Sequence, residues 1–376
     1  MRLTAAESNT QVSDGLVSLE NLLRFQWQIA LGEKQMKQKE FLDLLKKYSG
    51  IVKLQDQYVY FDEKEIQNLL DKLQNPPEPD SHQLLQAALS EEYDGSSVKL
   101  TKQARQLIES LLAAGPVALP EGLQATLRPY QERGFSWAQI GFGSLLADDM
   151  GLGKTLQIIT LLLKMKQERA FSQEKGLIIV PTTLLTNWFL ELQKFAPDWQ
   201  AHVYHGPGRS LLPLQEADLL ITTYGVLRSE GATLQKHSWR IMVIDKAQNI
   251  KNPATAQTKA IKKIKAPIKI AMSGTPVENR LSEYWSIFDF TNRGYLGSLK
   301  KFKENLANPI EQDRDQESLD RFRKITEPFI LRRVKTDKSI IKDLPEKIEK
   351  NEYCALTADQ AALYQNVLNA TLQAIP

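Results

Sequence analysis

The sequence predicts an α/β fold, in which a parallel β-sheet is covered by helices on both faces and is preceded by a small α+β domain. From about residue 125 onward, short aliphatic runs alternate with amphipathic helical patterns. Aliphatic strands separated by helices are typical of a parallel sheet that is buried on both faces. The runs that predict its strands are SLLAD (144–148), GLIIV (176–180), AHVY (201–204), ADLLIT (217–222), RIMVID (240–245) and IKIAMS (268–273).

Length and composition exclude several classes of protein. The chain has 376 residues, of which 42% are hydrophobic and 25% are charged, and these values argue against collagen-like and disordered classes. Its one cysteine, Cys354, excludes an internal disulfide framework and favours a reducing compartment.

The net charge is only +3, so a nucleic-acid site would depend on local clusters of charge. The longest apolar runs are too short to span a bilayer, and we expect no contact with a membrane.

The N-terminal residues predict a small module of helices and strands. Leu19, Leu22 and Leu23 have helical spacing, whereas IVKLQDQYVYF (51–61) alternates as two strands joined by a turn. The segment NPPEPDS (75–81) has the composition of a linker, and two further helices are expected after it.

A glycine-rich segment, DMGLGKT (149–155), follows the first aliphatic run and precedes a helical pattern. In such a turn, backbone N–H groups approach phosphate closely and the helix N-terminus adds its positive dipole. Lys154 would reach the β- and γ-phosphates of a nucleotide, and the hydroxyl of Thr155 would coordinate Mg²⁺. The strict phosphate-loop pattern is incomplete, because Asp148 occupies the position of its first glycine. The alternative is an ordinary glycine-rich turn between a strand and a helix.

The second half of a nucleotide site is expected at the end of another strand. Asp245 follows four aliphatic residues in RIMVID, and a carboxylate there can hold Mg²⁺ opposite Thr155. The alternative for Asp245 alone is an exposed aspartate at the end of a strand. The glycine loop elsewhere in the same predicted sheet favours the metal-binding interpretation.

Six motifs occur in an order that resembles a known family. They are LRPYQERGFSW (127–137), LLADDMGLGKTLQ (145–157), LIIVPTTLLTNW (177–188), ITTYGVLR (221–228), VIDKAQNIKN (243–252) and MSGTPVENRLSEYWSIFDF (272–290). Together they resemble the first motor lobe of the Swi/Snf family, which are double-stranded-DNA translocases of helicase superfamily two. PFILRRVKTDK (328–338) and LPEKIEKNEYCALTADQAALY (344–364) resemble the family's connection into a second lobe. The N-terminal module is similar to an accessory domain of bacterial members.

The resemblance implies a RecA-like parallel sheet covered by helices, that is, lobe one of a P-loop NTPase. It also implies ATP and Mg²⁺ as cofactors, double-stranded DNA as partner, and a cytoplasmic, nucleoid-associated location in a bacterium. A protein partner could bind through the N-terminal domain. The expected divisions are an accessory α+β domain (1–78), a helical connector (79–122), lobe one (123–295), a helical protrusion and brace (296–345) and the start of lobe two (346–376).

The resemblance further assigns roles to residues that match the family's motifs. The residues expected to bind ATP are Arg128, Gln131, Asp149, Met150, Gly151, Leu152, Gly153, Lys154 and Thr155. Those expected to contact DNA phosphates are Pro181, Thr182, Thr183, Thr222, Thr223 and Tyr224. The residues expected to couple the nucleotide to DNA are Ser273, Gly274 and Thr275. The catalytic positions are Asp245, Lys246 and Gln248, with Thr155 and Asp245 as metal ligands.

Simpler interpretations compete with several of these roles. Gln131 could be an ordinary glutamine on a helix surface, and the threonine-rich loops could be turns and helix caps. The basic run KAIKKIKAPIK (259–269) is either a solvated helix face or a DNA contact. Arg332 and Arg333 could sense phosphate, but in the family pattern they belong to the brace. The tryptophans expected in the core or at an interface are Trp27, Trp137, Trp188, Trp239 and Trp285.

Lys246 departs from the family's second motif, which is Asp-Glu-Ala-Gln or Asp-Glu-Ala-His but here is Asp-Lys-Ala-Gln. In the family, the glutamate polarises the attacking water, and general-base assistance is typically worth about 10²–10⁴-fold in rate. A charged lysine cannot accept that proton, although it can pair with a phosphate. We therefore expect this chain to bind ATP with Mg²⁺ but to hydrolyse it poorly. The change could be natural, introduced or an error.

Length is the second departure from the family pattern. A helix expected near 357–374 would open the second lobe, and the later motifs with their arginine fingers are not in the sequence. The chain is therefore expected to be a lobe-one fragment, or to rely on a partner for lobe two. Two other functions stay open: a catalytically silent module that binds nucleotide or DNA, and an adaptor that holds a partner through its N-terminal module.

Overall fold

The computed structural model of the chain describes residues 81–373, apart from 94–95, 114, 116, 140–142, 172–173, 276–279, 339 and 341–349, together with five strand segments between residues 2 and 61. Contacts between residues divide the chain into two units, Met1–Val334 and Lys335–Pro376.

The N-terminal strands form two small sheets. The strands are β1 (Arg2–Glu7), β2 (Leu23–Leu31), β3 (Lys34–Met36), β4 (Gly50–Leu54), β5 (Gln57–Phe61), β6 (Glu92–Tyr93) and β7 (Ser96–Leu100). Five of them lie in the order β3-β2-β1-β7-β6, and β4 pairs with β5 as the predicted antiparallel hairpin. The predicted helix through the early leucines is wrong at Leu23, which begins β2. Leu19, Leu22 and the side chain of Trp27 lie outside the part of the chain that the structure describes.

The predicted helical connector is helical only in part. Its two helices are present as α1 (Ser81–Ser90) and α2 (Lys102–Leu112), but β6 and β7 lie between them. Strand β7 pairs in parallel with β1, so residues near 100 complete a sheet that begins at residue 2. The partner of β7 lies about 95 residues away along the chain, and a local pattern carries no information about so distant a pairing.

The main sheet has seven parallel strands in the order β10-β11-β9-β12-β13-β8-β14. Its strands are β8 (Ser144–Leu146), β9 (Lys175–Val180), β10 (Ala201–Tyr204), β11 (Leu219–Thr223), β12 (Trp239–Ile244), β13 (Ile268–Met272) and β14 (Ile330–Leu331). The six predicted strands are confirmed. The seventh, β14, lies in the stretch predicted as helical protrusion and brace, and it pairs with β8.

Helices cover both faces of this sheet, as predicted. They are α3 (Pro129–Trp137), α4 (Lys154–Gln167), α5 (Leu185–Phe195), α6 (Tyr224–Leu234), α7 (Ala256–Lys263) and α8 (Leu281–Thr291). Three further helices follow along the chain: α9 (Leu299–Phe302), α10 (Asn308–Glu311) and α11 (Gln316–Thr326). Along β9, Leu177 and Ile179 join the core beneath α6, α7 and α8, whereas Ile178 and Val180 join the core beneath α3, α4 and α5. Side chains on a strand alternate between faces, so this division shows that both faces are buried.

The second unit contains one described helix, α12 (Ala358–Gln373), which is exposed along its described length. It confirms the helix expected near 357–374, and Leu363, Val367 and Leu372 are among its exposed apolar side chains. In the part of the chain that the structure describes, no helix is long and apolar enough to cross a membrane.

Candidate nucleotide-binding site

The predicted nucleotide residues come together at the carboxyl ends of β8, β12 and β13, where ligands of parallel sheets bind. A cleft of about 620 Å³ opens there. Its lining residues are Met150, Gly151, Gly153, Lys154, Thr155, Leu156, Leu184, Asn187, Glu191, Lys194, Phe195, Asp245, Lys246 and Met272. The glycine loop and Asp245, which are about 90 residues apart in sequence, therefore share one cavity.

The backbone geometry of the glycine loop suits close approach to a phosphate group. Gly151 and Gly153 have φ angles of +83° and +72°, in the left-handed region that side chains disfavour. A Cβ atom at Gly153 would also collide with the side-chain amide of Gln131. Helix α4 begins at the next residue, Lys154, so its N-terminal N–H groups point into the loop. This geometry supports the phosphate-loop interpretation over an ordinary turn.

The ammonium group of Lys154 lies inside the loop. Its Nζ donates to the carbonyl oxygens of Asp148 and Asp149, at 2.6 and 3.1 Å. Burial lowers the pKa of Lys154 from its ordinary value, while the carboxylates of Asp148 and Asp245 act in the opposite direction. A cation held by loop carbonyls at a helix N-terminus is placed to pair with phosphate oxygens.

Gln131 is buried against the glycine loop, so the alternative of an ordinary surface glutamine is wrong. Its Oε1 accepts a hydrogen bond from the backbone N–H of Arg128 at 2.9 Å, and its Nε2 donates to the carbonyl of Leu152 at 3.3 Å. The side chain thus joins the start of α3 to the loop. Its expected contact with ATP stays a prediction, as does that of Arg128, which is exposed.

Asp148, which replaces the first glycine of the pattern, is fully buried and pairs with Arg333. The Arg333 Nε donates to Asp148 Oδ1 at 2.9 Å, and a second guanidinium nitrogen donates to Oδ2. The same guanidinium donates to Gln157 Oε1 at 2.9 Å and to the carbonyl of Tyr130. These contacts occupy Arg333 behind the loop, which argues against its role as a phosphate sensor.

Asp245 is nearly buried at the end of β12, so the alternative of an exposed aspartate is wrong. Its Oδ2 accepts from the indole N–H of Trp188 at 2.9 Å, and its Oδ1 accepts from the backbone N–H of Lys246 at 2.7 Å. Trp188 lies in the core as expected, but sequence reasoning missed this hydrogen bond. Asp245 and Thr155 line one cleft and offer hard oxygen donors, the type that Mg²⁺ prefers.

Lys246 directs its ammonium group into the same region. Its Nζ lies 3.2 Å from the Sδ of Met150 in the glycine loop, and its charge acts to lower the pKa of Lys154. The residue has φ +55° and ψ +55°, a left-handed conformation that is uncommon outside glycine. A second cation therefore stands at the position where the family pattern has a carboxylate.

The residues predicted to couple the site to DNA connect the ends of β12 and β13. Ser273 Oγ donates to Gln248 Oε1 at 3.2 Å and accepts from the N–H of Thr275 at 3.1 Å. A Cβ at Gly274 would lie 2.9 Å from the Cγ of Met150, so the glycine permits close approach to the loop. This contact makes the coupling role physically possible, and the role stays a prediction.

The two predicted DNA-contacting loops differ in exposure. Thr182 and Thr183 are exposed after β9. Thr222 and Thr223 end β11 and Tyr224 begins α6; all three are buried, which argues against phosphate contacts by their side chains. The Thr222 hydroxyl donates to the carbonyl at 204 at 2.8 Å, and the Thr223 hydroxyl caps α6 by accepting from the N–H of residue 226. The alternative that the threonines cap a helix fits Thr223. For residues 222–224, the backbone groups stay candidates for DNA contact.

The basic run at 259–269 is partly committed to packing. Lys262 forms an ion pair with Asp289 at 2.7 Å. Lys269 lies over the ring of Phe290, 5.3 Å from its centroid, and burial lowers its pKa to about 8. These two lysines therefore contact α8, which neither interpretation of the run had predicted.

The fold and the site define a RecA-like nucleotide-binding lobe with the features of a superfamily-two P-loop NTPase. The family model described as the SNF2-related domain matches residues 38–375. The chain therefore belongs to the SNF2-related family, which confirms the resemblance.

Relatives and solved structures agree with this assignment. YwqA of Bacillus subtilis, named as a candidate ATP-dependent helicase/translocase, is 37% identical over 99% of this chain and 43% of its own length. The TATA-binding protein-associated factor MOT1 of Saccharomyces cerevisiae is 34% identical over 70% of this chain and 16% of its own length. The Sulfolobus solfataricus SWI2/SNF2 ATPase core in complex with dsDNA matches with a TM-score of 0.57 and 45% identity, over 68% of this chain and 55% of that one. The chain thus spans less than half the length of these two curated relatives.

The buried pair behind the glycine loop yields a test of stability. Replacing Arg333 with Met leaves the Asp148 carboxylate buried without its cation, and we expect the free energy of unfolding to fall by about 3–5 kcal/mol. Urea denaturation followed by circular dichroism measures this change. The control is Arg105→Met, which removes an exposed pair with Glu91 and should cost about 0–1 kcal/mol. Equal losses in the two variants would contradict a structural role for the buried pair.

Proposed function

We propose that this chain is the accessory region and ATP-binding lobe of an ATP-dependent motor that moves along double-stranded DNA. The observation that carries the proposal is the cleft that joins Lys154 and Thr155 of the glycine loop to the buried Asp245. Membership of the SNF2-related family supports it, as does the structural relative solved with dsDNA. The predicted domain divisions and a protein partner for the N-terminal domain stay part of this proposal.

The residues of the cleft fit a nucleotide with Mg²⁺. Glycines with left-handed backbone and the start of α4 suit a triphosphate, and Lys154 supplies a cation beside it. Among the described residues, each oxygen of Asp245 accepts one hydrogen bond, so each keeps a lone pair directed elsewhere. Thr155 and Asp245 would hold Mg²⁺, which neutralises phosphate charge during phosphoryl transfer.

Hydrolysis by this chain is proposed to be slow. The position that should hold a proton-accepting glutamate holds Lys246, whose ammonium group reaches the glycine loop near Met150. A cation there can pair with a phosphate oxygen but cannot take a proton from water. ATP binding and ATP hydrolysis are therefore separable properties of this site.

A second candidate function is a catalytically silent module that binds nucleotide or DNA. Lys246 is the observation that favours it, since it places a second cation near Lys154. The two functions differ in whether substitution of this one residue restores turnover.

Binding of a non-hydrolysable ATP analogue with Mg²⁺ tests the shared part of both functions. We expect calorimetry to detect binding by the unaltered chain. Lys154→Ala should weaken it by about tenfold or more, because a charged hydrogen bond is worth about 1.5–3 kcal/mol. The control is Lys236→Ala, which changes an exposed lysine near the amino end of β12. Failure of the unaltered chain to bind the analogue would exclude both functions.

Substitution of Lys246 separates the motor from the silent module. In a polypeptide that also carries a second lobe, Lys246→Glu should raise DNA-stimulated phosphate release by about 10²–10⁴-fold, the usual contribution of a general base. Lys263→Glu makes the same charge change at an exposed position on α7 and should leave the rate unaltered. Rapid phosphate release by the unaltered chain, or no gain from Lys246→Glu, would contradict the proposed impairment.

DNA binding is expected to depend on phosphates and therefore on salt. Each phosphate contact should cost about 3.5-fold in affinity for a fourfold rise in salt concentration, since log affinity falls with a slope near −0.9 per contact. Fluorescence anisotropy with two duplexes of unrelated sequence measures both the slope and the sequence preference. A flat salt dependence together with strong preference for one duplex would argue against this mode of binding.

A further inference from the structure

Two buried aromatic side chains donate hydrogen bonds to Asp245. The indole N–H of Trp188 donates to Oδ2 at 2.9 Å, and the hydroxyl of Tyr224 donates to the backbone carbonyl at 2.6 Å. The two aromatic residues are 1% and 4% exposed, so neither hydrogen bond is readily exchanged for water. Asp245 is thus held at its side chain by one element and at its backbone by another.

Both aromatic residues belong to the segments that include the predicted DNA-contacting residues. Trp188 lies in the first turn of α5, which directly follows the loop at 181–183 with its exposed Thr182 and Thr183. Tyr224 is the first residue of α6 and directly follows Thr223. Strand β9 is next to β12 and β11 is next to β9, so the two segments lie at the same edge of the parallel sheet as Asp245, one and two strands away from it.

The hydrogen bond from Trp188 determines the orientation of the carboxylate. The backbone N–H of Lys246 holds Oδ1 at 2.7 Å, and one donor alone would leave the carboxylate free to rotate about that contact. The indole N–H on Oδ2 removes this freedom. Both oxygens then keep one lone pair for a cation, in a fixed direction.

We infer that Trp188 and Tyr224 are positioning residues, which orient Asp245 for Mg²⁺ and link DNA contact at the two loops to Mg²⁺–nucleotide binding. The inference rests on the proposed function, because it requires that the cleft binds nucleotide and that the loops face DNA. Partners that orient a metal ligand typically contribute about 10–100-fold to metal affinity. A linkage between two sites is reciprocal, so DNA must shift nucleotide affinity if nucleotide shifts DNA affinity.

Conservative substitutions remove each hydrogen bond while keeping an aromatic ring. Trp188→Phe deletes the indole N–H, and Tyr224→Phe deletes one oxygen atom. Matched controls exist in the same unit: Trp239 donates its N–H to the carbonyl of Leu234 at 2.8 Å, and Tyr295 donates its hydroxyl to the carbonyl of Ile325 at 2.8 Å. Both control residues are buried, and neither lines the cleft, so Trp239→Phe and Tyr295→Phe report the general effect of such a change.

The measurement is binding of a fluorescent, non-hydrolysable ATP analogue across a Mg²⁺ titration, with and without duplex DNA. For Trp188→Phe we expect about a tenfold rise in the Mg²⁺ concentration at half-maximal binding. For both Trp188→Phe and Tyr224→Phe we expect the shift that DNA causes in analogue affinity to shrink. The control variants should match the unaltered chain in both quantities.

Each contrary outcome has a distinct meaning. If the unaltered chain binds the analogue and DNA shifts its affinity, but both variants match their controls, the inference fails while the proposed function stands. If DNA causes no shift in the unaltered chain, the proposed linkage is overturned. If the unaltered chain does not bind the analogue at all, the proposed function fails and the inference fails with it. Tyr224→Phe changes a single atom and so tests the linkage even if Trp188→Phe folds poorly.

Discussion

The buried ion pair between Asp148 and Arg333 is the interaction on which the glycine loop depends. It joins the start of the loop to the segment that follows β14, which lies 185 residues further along the chain. The backbones of the two segments also pair, since the N–H groups at 147 and 149 donate to the carbonyls at 331 and 333. Burial of two charges is costly unless their hydrogen bonds are complete, and Gln157 and the Tyr130 carbonyl complete those of the guanidinium. The aspartate that disrupts the strict phosphate-loop pattern is therefore part of what supports the loop.

Charge in the cleft is unusual for a site that would hydrolyse ATP. Lys154 and Lys246 both bring ammonium groups to the glycine loop, and their repulsion is one of the effects that lower the pKa of Lys154. A triphosphate would relieve this repulsion, because its oxygens can pair with both cations. Lys246, at the position where the family pattern has a glutamate, supplies no proton acceptor. Under the proposed function, this electrostatic arrangement suits binding of a triphosphate and slows its hydrolysis.

Asp245 is the point at which the separate parts of the lobe meet. Its carboxylate faces the cleft, its side chain contacts α5 through Trp188, and its backbone contacts α6 through Tyr224. Gln248, three residues further on, contacts Ser273 at the end of β13. Asp245 thus has hydrogen-bond partners on two helices, and a ligand that moves either helix would also act on Asp245. Under the proposed function, these hydrogen bonds are the contacts through which DNA and nucleotide would influence each other.

The sequence alone determined the parallel sheet, six of its strands and the glycine-loop and second-motif residues that line the cleft, because periodicity and glycine-rich motifs are local signals. The tertiary structure decided which residues those motifs contact. The pairing of β7 with β1, the added strand β14 and the Arg333–Asp148 pair all join segments far apart in sequence. It also decided that Thr222 and Thr223, which were expected to contact DNA phosphates, end a strand with their side chains buried. A motif specifies the type of side chain at a position, whereas its partner depends on packing between distant elements.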